Sequence, residues 1–103
     1  MGFVYLICDL DRPNTYKIGV TKKSNIEERK KELQTGNSSE LLVCNFYETT
    51  TPYKLENMLH RKYHSNNIKN EWFALTDEEA MSFKDECKKY QTIIDSLKEN
   101  PFY

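Results

Sequence analysis

The sequence is poor in cysteine, glycine and proline, with three of each in 103 residues. Cys8, Cys44 and Cys87 are odd in number and far apart, and no CxxC pair is present. That pattern excludes a disulfide framework and a zinc knuckle, and free, largely buried thiols in a reducing compartment are expected. No apolar run approaches the roughly 20 residues needed to cross a bilayer, and no basic-then-apolar leader opens the chain. There is no repeat, linker or low-complexity tract. A charge excess is also missing: 15 Lys and Arg stand against 16 Asp and Glu, for a net charge of −1. An intracellular protein without membrane contact is expected, cytoplasmic in a bacterium or within a host cell if viral.

What is present reads as one folded domain over residues 1–103, with 38% hydrophobic and 30% charged residues. The charge is sorted along the chain, and its distribution matters more than its sum. Arg12, Lys17, Lys22, Lys23, Arg29, Lys30 and Lys31 cluster near the front, whereas acids outnumber bases from Asp77 onward. A polyanion would meet the front of the molecule.

Phe3 to Cys8 is apolar and β-prone, Asp9 to Asn14 carries turn chemistry, and Tyr16 to Thr21 reads as a second strand. Ser24 with Glu27 forms a capping box for a first helix that Gly36 ends. Leu41 to Tyr47 is a third strand. Thr51-Pro52 opens a helix that runs to about His64, and Glu71 to Ala74 is a short strand or extended segment. Thr76 with Glu79 makes another capping box, before a helix with Ala80, Phe83, Cys87, Tyr90 and Ile94 at helical spacing. Asn100-Pro101 ends it. The expected fold is α/β, sandwich-like α+β, in the order ββαβαβα. A small mixed sheet of three to four strands with one hairpin is flanked by three helices.

Several residues could carry chemistry. Ile26, Arg29, Lys30 and Leu33 share one helix stripe. Arg29 therefore emerges at the edge of the core, either as a stem packed on the sheet or as a rigid phosphate grip. On the second helix Glu56, His60 and Tyr63 adjoin the inner stripe of Leu55, Met58 and Leu59; this is compatible with metal binding and equally with a solvated face. Lying beside that stripe, Glu56 is expected to contribute little to folding. His60 and His64 have the spacing of a zinc pair, but no third ligand is recognisable. Tyr5 and Tyr16 are strand phenols, and a phenol beside a cation can act as a base or position a water. Gly19 inside a strand marks a close approach of another group.

Taken together, these residues resemble the GIY-YIG nuclease superfamily. Phe3-Val4-Tyr5 stands where such enzymes have Gly-Ile-Tyr, and Lys17-Ile18-Gly19 where they have Tyr-Ile-Gly. The chain is closer still to a branch of short phage and viral proteins described as DNA-binding domains. That branch has Tyr-Lys-Ile-Gly-x-Thr, then Arg, then Glu with Leu-His, then Glu-Trp-Phe; here these are Tyr16 to Thr21, Arg29, Glu56 with Leu59-His60, and Glu71-Trp72-Phe73. The resemblance implies a metal-dependent DNA endonuclease that nicks, leaving 5′-phosphate and 3′-hydroxyl ends. It implies catalytic roles for Tyr5, Tyr16, Lys17, Arg29, Glu56 and His60, with Glu56 as the ligand of Mg²⁺ or Mn²⁺. Tyr5, biased toward ionisation by adjacent cations, would take the proton from water, with His60 as a second candidate. Lys22, Lys23, Lys30 and Lys31 would contact DNA phosphates, and a dimer on DNA or a separate targeting protein would complete a double-strand break. Lys17 replaces a family Tyr, and that replacement keeps open the alternative of a catalytically weak or inactive DNA-binding module with the same fold.

Overall fold

An uninterrupted apolar run is buried on both faces when it becomes a central strand, and Gly2–Asp9 (β1) does so. Val4, Tyr5, Leu6 and Ile7 are all fully buried. The structure, a computed structural model, describes residues 1–22 and 25–98. β1 is followed by β2 (Thr15–Thr21), α1 (Ile26–Thr35), β3 (Leu41–Thr49) and α2 (Pro52–Lys62). A 3₁₀ turn at His64–Asn66 precedes β4 (Asn67–Lys69), β5 (Trp72–Ala74), α3 (Asp77–Met81) and α4 (Phe83–Lys98).

The α+β class holds, with more strands than expected. The sheet has five strands in the order β3-β1-β2-β5-β4, and each neighbouring pair is antiparallel. It is therefore not mixed. The additional strand, β4, is short and exposed and pairs with β5 as a second hairpin. The final helix is two helices, α3 and α4, divided at Ser82.

Strand alternation sorts the core into two layers. Val4, Leu6 and Ile18 face α2 and α4, where they meet Leu55, Leu59, Phe83, Cys87 and Ile94. Tyr5 and Ile7 face the other way, toward Ile26 of α1 and Leu41. Asn25 caps α1, its side chain accepting from Glu27 N–H at 2.8 Å; the Ser24 cap lies outside the described residues, as does the Asn100-Pro101 stop. Thr76 and Glu79 form both bonds of the capping box at the start of α3. Pro52 is the first residue of α2. That turn is tied to α4 by Gln91, whose Nε2 donates to Thr51 Oγ1 at 3.2 Å and whose Oε1 accepts from Thr49 Oγ1.

The thiols differ from expectation. Cys87 is buried, but Cys8 is only half-buried and Cys44 is exposed. The cause is position: β3 is an edge strand with a register shift opposite Leu6/Ile7, and Cys44 lies at that irregularity.

The feature that shapes the site is a mismatch of strand lengths. β5 pairs only with Thr15 to Lys17, so the rest of β2 has α2 rather than a strand beside it. Opposite Tyr5 in this stretch is Gly19, where an added Cβ would collide with the Tyr5 hydroxyl and its Cζ. Gly19→Ala should cost about 1–3 kcal/mol, as overpacking of a filled core does. Urea unfolding checks this, and a variant as stable as the parent would show that the Tyr5 ring moves freely.

Candidate functional site

The site begins with Tyr5, which crosses over Gly19 toward the edge of β2. Lys17 projects from the same sheet face, because residues two apart on β2 share a side. Arg29 reaches that face from α1. Across the edge, α2 supplies Glu56 and His60, and the residue before β5 supplies Glu71.

These groups are interlocked. Ile18 N–H donates to the Glu71 carbonyl at 3.0 Å. His60 Nε2 lies 2.9 Å from the Ile18 carbonyl, and since a carbonyl only accepts, that nitrogen carries the proton. The same Nε2 is 4.0 Å from Glu56 Oε2, and the imidazole ring leans on Phe73 at 5.0 Å. Lys17 Nζ pairs with Glu71 Oε2 at 3.0 Å and sits 5.7 Å from the Trp72 ring centroid.

Electrostatics set the protonation states. Burial raises the Glu56 pKa above its ordinary 4.5, and the neighbouring Glu71 carboxylate raises it further, while His60 and Lys17 pull it back. Burial also raises the Tyr5 pKa above 10.0, and Arg29 offsets only part of the rise. The expectation of a phenol biased toward ionisation is therefore corrected: desolvation outweighs the adjacent cation. Arg29 is held more firmly cationic by Tyr5. Arg29 approaches Tyr5, and Glu71 approaches Glu56, without a well-aligned hydrogen bond, so the Tyr5 hydroxyl, Arg29 Nε and Glu56 Oε2 are buried with none among the described residues. Orphaned groups of both signs at one place are costly unless a ligand completes them.

The structure thus brings together Tyr5, Lys17, Arg29, Glu56 and His60, and adds Glu71, which the sequence marked only as part of Glu71-Trp72-Phe73. The available signal was an acid immediately ahead of a short strand. Tyr16 is not among them. It lies on the opposite sheet face with Ile18 and Phe73, beside Cys44, Asn45 and Asp77, because adjacent strand residues point to opposite sides. Glu56 is also corrected: only 9% exposed, it is pressed against the β2 edge rather than solvated. Of the lysines, Lys22 and Lys31 are exposed and Lys30 is half-buried. Lys22 Nζ lies 5.4 Å from the Tyr53 ring centroid at the start of α2, while Lys23 falls outside the described residues.

Among the described residues no group of three or more His, Cys, Asp or Glu side chains could hold a metal ion. A closed transition-metal cage is thus not what these residues offer. The orphaned Glu56 Oε2 with Glu71 beside it fits a hard divalent cation, which binds through one or two carboxylates and completes its shell with water and phosphate. Compared with known families, residues 2–89 match the model of the T5orf172 domain. No curated protein and no solved structure matches the chain.

The raised Glu56 pKa makes a stability prediction with a definite sign. A carboxyl that holds its proton more tightly when folded favours folding below the unfolded value. That contribution is lost as pH rises from about 4.5 through the folded value. Glu56→Gln should therefore stabilise the metal-free protein at pH 7 by about 1 kcal/mol, since it removes a buried charge whose desolvation and repulsion by Glu71 outweigh the pull of His60 and Lys17. The difference should shrink as pH falls toward 4. Thermal melts in EDTA across that range check it; equal stability at pH 7 would return Glu56 to a solvated position.

Proposed function

The chain belongs to the T5orf172 domain family, a phage-associated, nuclease-related group, and from that premise we propose that it is a GIY-YIG-type DNA endonuclease dependent on a divalent metal. The observation that carries this reading is the convergence of a phenol, a guanidinium, an ammonium, an imidazole and two carboxylates at the edge of β2. Arg29 grips non-bridging phosphate oxygens through paired hydrogen bonds. Lys17 adds positive charge where negative charge develops in the transition state. Tyr5, which keeps its proton, donates a hydrogen bond to the phosphate or the attacking water. That water loses its proton to Nδ1 of His60, since Nε2 is engaged with Ile18; its oxygen bonds to phosphorus as the P–O3′ bond breaks, and the departing 3′-oxygen takes a proton from solvent. Glu56, with Glu71 beside it, would hold Mg²⁺ or Mn²⁺, which when bound supplies charge neutralisation at the scissile phosphate.

One such site nicks one strand and leaves 5′-phosphate and 3′-hydroxyl ends. A double-strand break needs a dimer on DNA, a second encounter or a targeting partner. The basic segment around Lys22, Lys30 and Lys31 supports DNA as the substrate.

A second reading, a DNA-binding module without cleavage, is favoured by one observation. Lys17 already lies 3.0 Å from Glu71, so the acid pair has an internal counter-charge without a metal. A nicking assay on supercoiled plasmid with Mg²⁺ separates the two. The endonuclease reading expects nicking by the parent protein and a loss of orders of magnitude in Glu56→Gln and in Arg29→Ala, each shown to be folded. Full nicking by folded Glu56→Gln would sink the assignment, and DNA binding without nicking by the parent would establish the module.

The basic face has its own test. Replacing two of Lys22, Lys30 and Lys31 by Ala should weaken binding alike on different DNA sequences. It should also flatten the slope of log K against log salt by roughly 0.9 per lost phosphate contact. An unchanged slope would remove this face from the interface.

A further inference from the structure

A cavity of about 380 Å³ opens near the site but outside it, within the ~300–1,000 Å³ span of small-ligand pockets. Its walls come from three chain reversals: Asp9 at the end of β1 with Arg12 after it, Asn37 and Ser39 between α1 and β3, and Lys69 at the end of β4 with Asn70 after it. Trp72 is the boundary it shares with the site, since the same indole faces Lys17.

Each wall is held by its own hydrogen bonds. Asp9 Oδ1 accepts from Asp11 N–H at 2.9 Å. Leu10 N–H donates to the Glu40 carbonyl at 2.9 Å, joining the first connection to the second. Gln34 fixes that second connection, donating to the Ser39 carbonyl at 2.7 Å and accepting from Leu41 N–H at 2.8 Å. In the third, the Asn67 side chain donates to the Asn70 carbonyl at 2.8 Å and the Trp72 carbonyl at 3.2 Å. Asn70 stands at φ 54°, in the left-handed region that Asn tolerates. The cavity is therefore preformed, and little ordering cost attends its filling.

The chemistry of the walls selects the occupant. Trp72 offers an aromatic face. Asp9, its side chain 6% exposed, lies at the inner wall, and its carboxylate sits 3.9 Å from Arg12 Nε, whose side chain is 74% exposed. That long, exposed pair leaves the Arg12 guanidinium reaching to the rim beside exposed Lys69, where the two attract a phosphate, while the inner carboxylate disfavours one. An aromatic base inside with its phosphate outside satisfies all three. We propose that this cavity receives an unstacked nucleotide of the bound DNA strand, its base lying on Trp72 and its phosphate held by Arg12 and Lys69. The proposal rests on the reading of the chain as a DNA-binding protein.

Trp72 is the single tryptophan of the chain, so its emission reports on the cavity without a label. In EDTA, which prevents cleavage, the protein is titrated with a short single-stranded oligodeoxynucleotide and with an abasic strand of equal length. Anisotropy of a 5′ dye follows binding in parallel. The base-bearing strand should quench Trp72 emission and the abasic strand should not. The abasic strand should also bind more weakly by roughly 5- to 100-fold, the worth of one base–aromatic stack. In Trp72→Leu, read by anisotropy and checked by a thermal melt, the two strands should bind alike. If that variant does not fold, the two titrations of the parent protein decide alone. Equal quenching by both strands, or none at saturation, overturns the nucleotide site while leaving DNA binding intact. No anisotropy change with either strand overturns the DNA reading itself.

Discussion

Tyr5 reaches the edge of the sheet only because Gly19 has no side chain. The two residues are cross-strand partners on β1 and β2, and the phenol occupies the space where a Cβ would stand. Everything polar in the site is arranged around that crossing. The short β5 leaves the next stretch of β2 to α2, and His60 closes the exposed Ile18 carbonyl in place of a strand. A longer β5 would have satisfied the backbone better and left Glu56 no route to the edge. The site thus exists where the sheet stops being regular.

The cost of this arrangement is visible in the unsatisfied groups. A hydroxyl, a guanidinium nitrogen and a carboxylate oxygen are buried at one edge, each without a well-aligned hydrogen bond among the described residues. Protein interiors tolerate few of these, and a protein selected only for stability would have paired them or replaced them with apolar atoms. Here the two signs lie close without neutralising one another. Lys17 pairs with Glu71, not Glu56, and Arg29 is drawn to a phenol that keeps its proton. Under the endonuclease reading, a phosphodiester would supply the acceptor oxygens that the guanidinium lacks.

Much of the fold was legible because hydrophobic period and capping agree. β1, β2 and β3 follow from apolar runs and turn chemistry, and the Thr76–Glu79 box marks the start of α3 to the residue. β4 was not legible: three exposed residues carry no apolar alternation, and only pairing with β5 makes them a strand. The break at Ser82 was hidden because the apolar spacing from Ala80 through Phe83 to Cys87 runs across it. In the site, Lys17, Arg29, Glu56 and His60 were legible as types on faces. Tyr16 was separable from Lys17 by strand parity alone, since neighbours on one strand cannot share a side. The burial of Glu56 could not be read from the helix, because a helix stripe gives a direction and not what lies along it. Here it is the end of β5 that brings Glu71 against it.

That last contact joins two separately anchored elements. Glu56 belongs to α2, anchored through Thr51 and Gln91 to α4, whereas Glu71 stands in the turn between β4 and β5. The hairpin pairs with β2 at three positions, and the bond from Ile18 N–H to the Glu71 carbonyl extends that seam to Glu71 itself. Two like charges face each other across this joint, and Lys17 neutralises one of them. A second neutralising group at this joint would remove a repulsion that Lys17 leaves in place. Trp72 follows Glu71 directly, so the indole that borders the cavity and the acid beside Glu56 are placed by the same short turn.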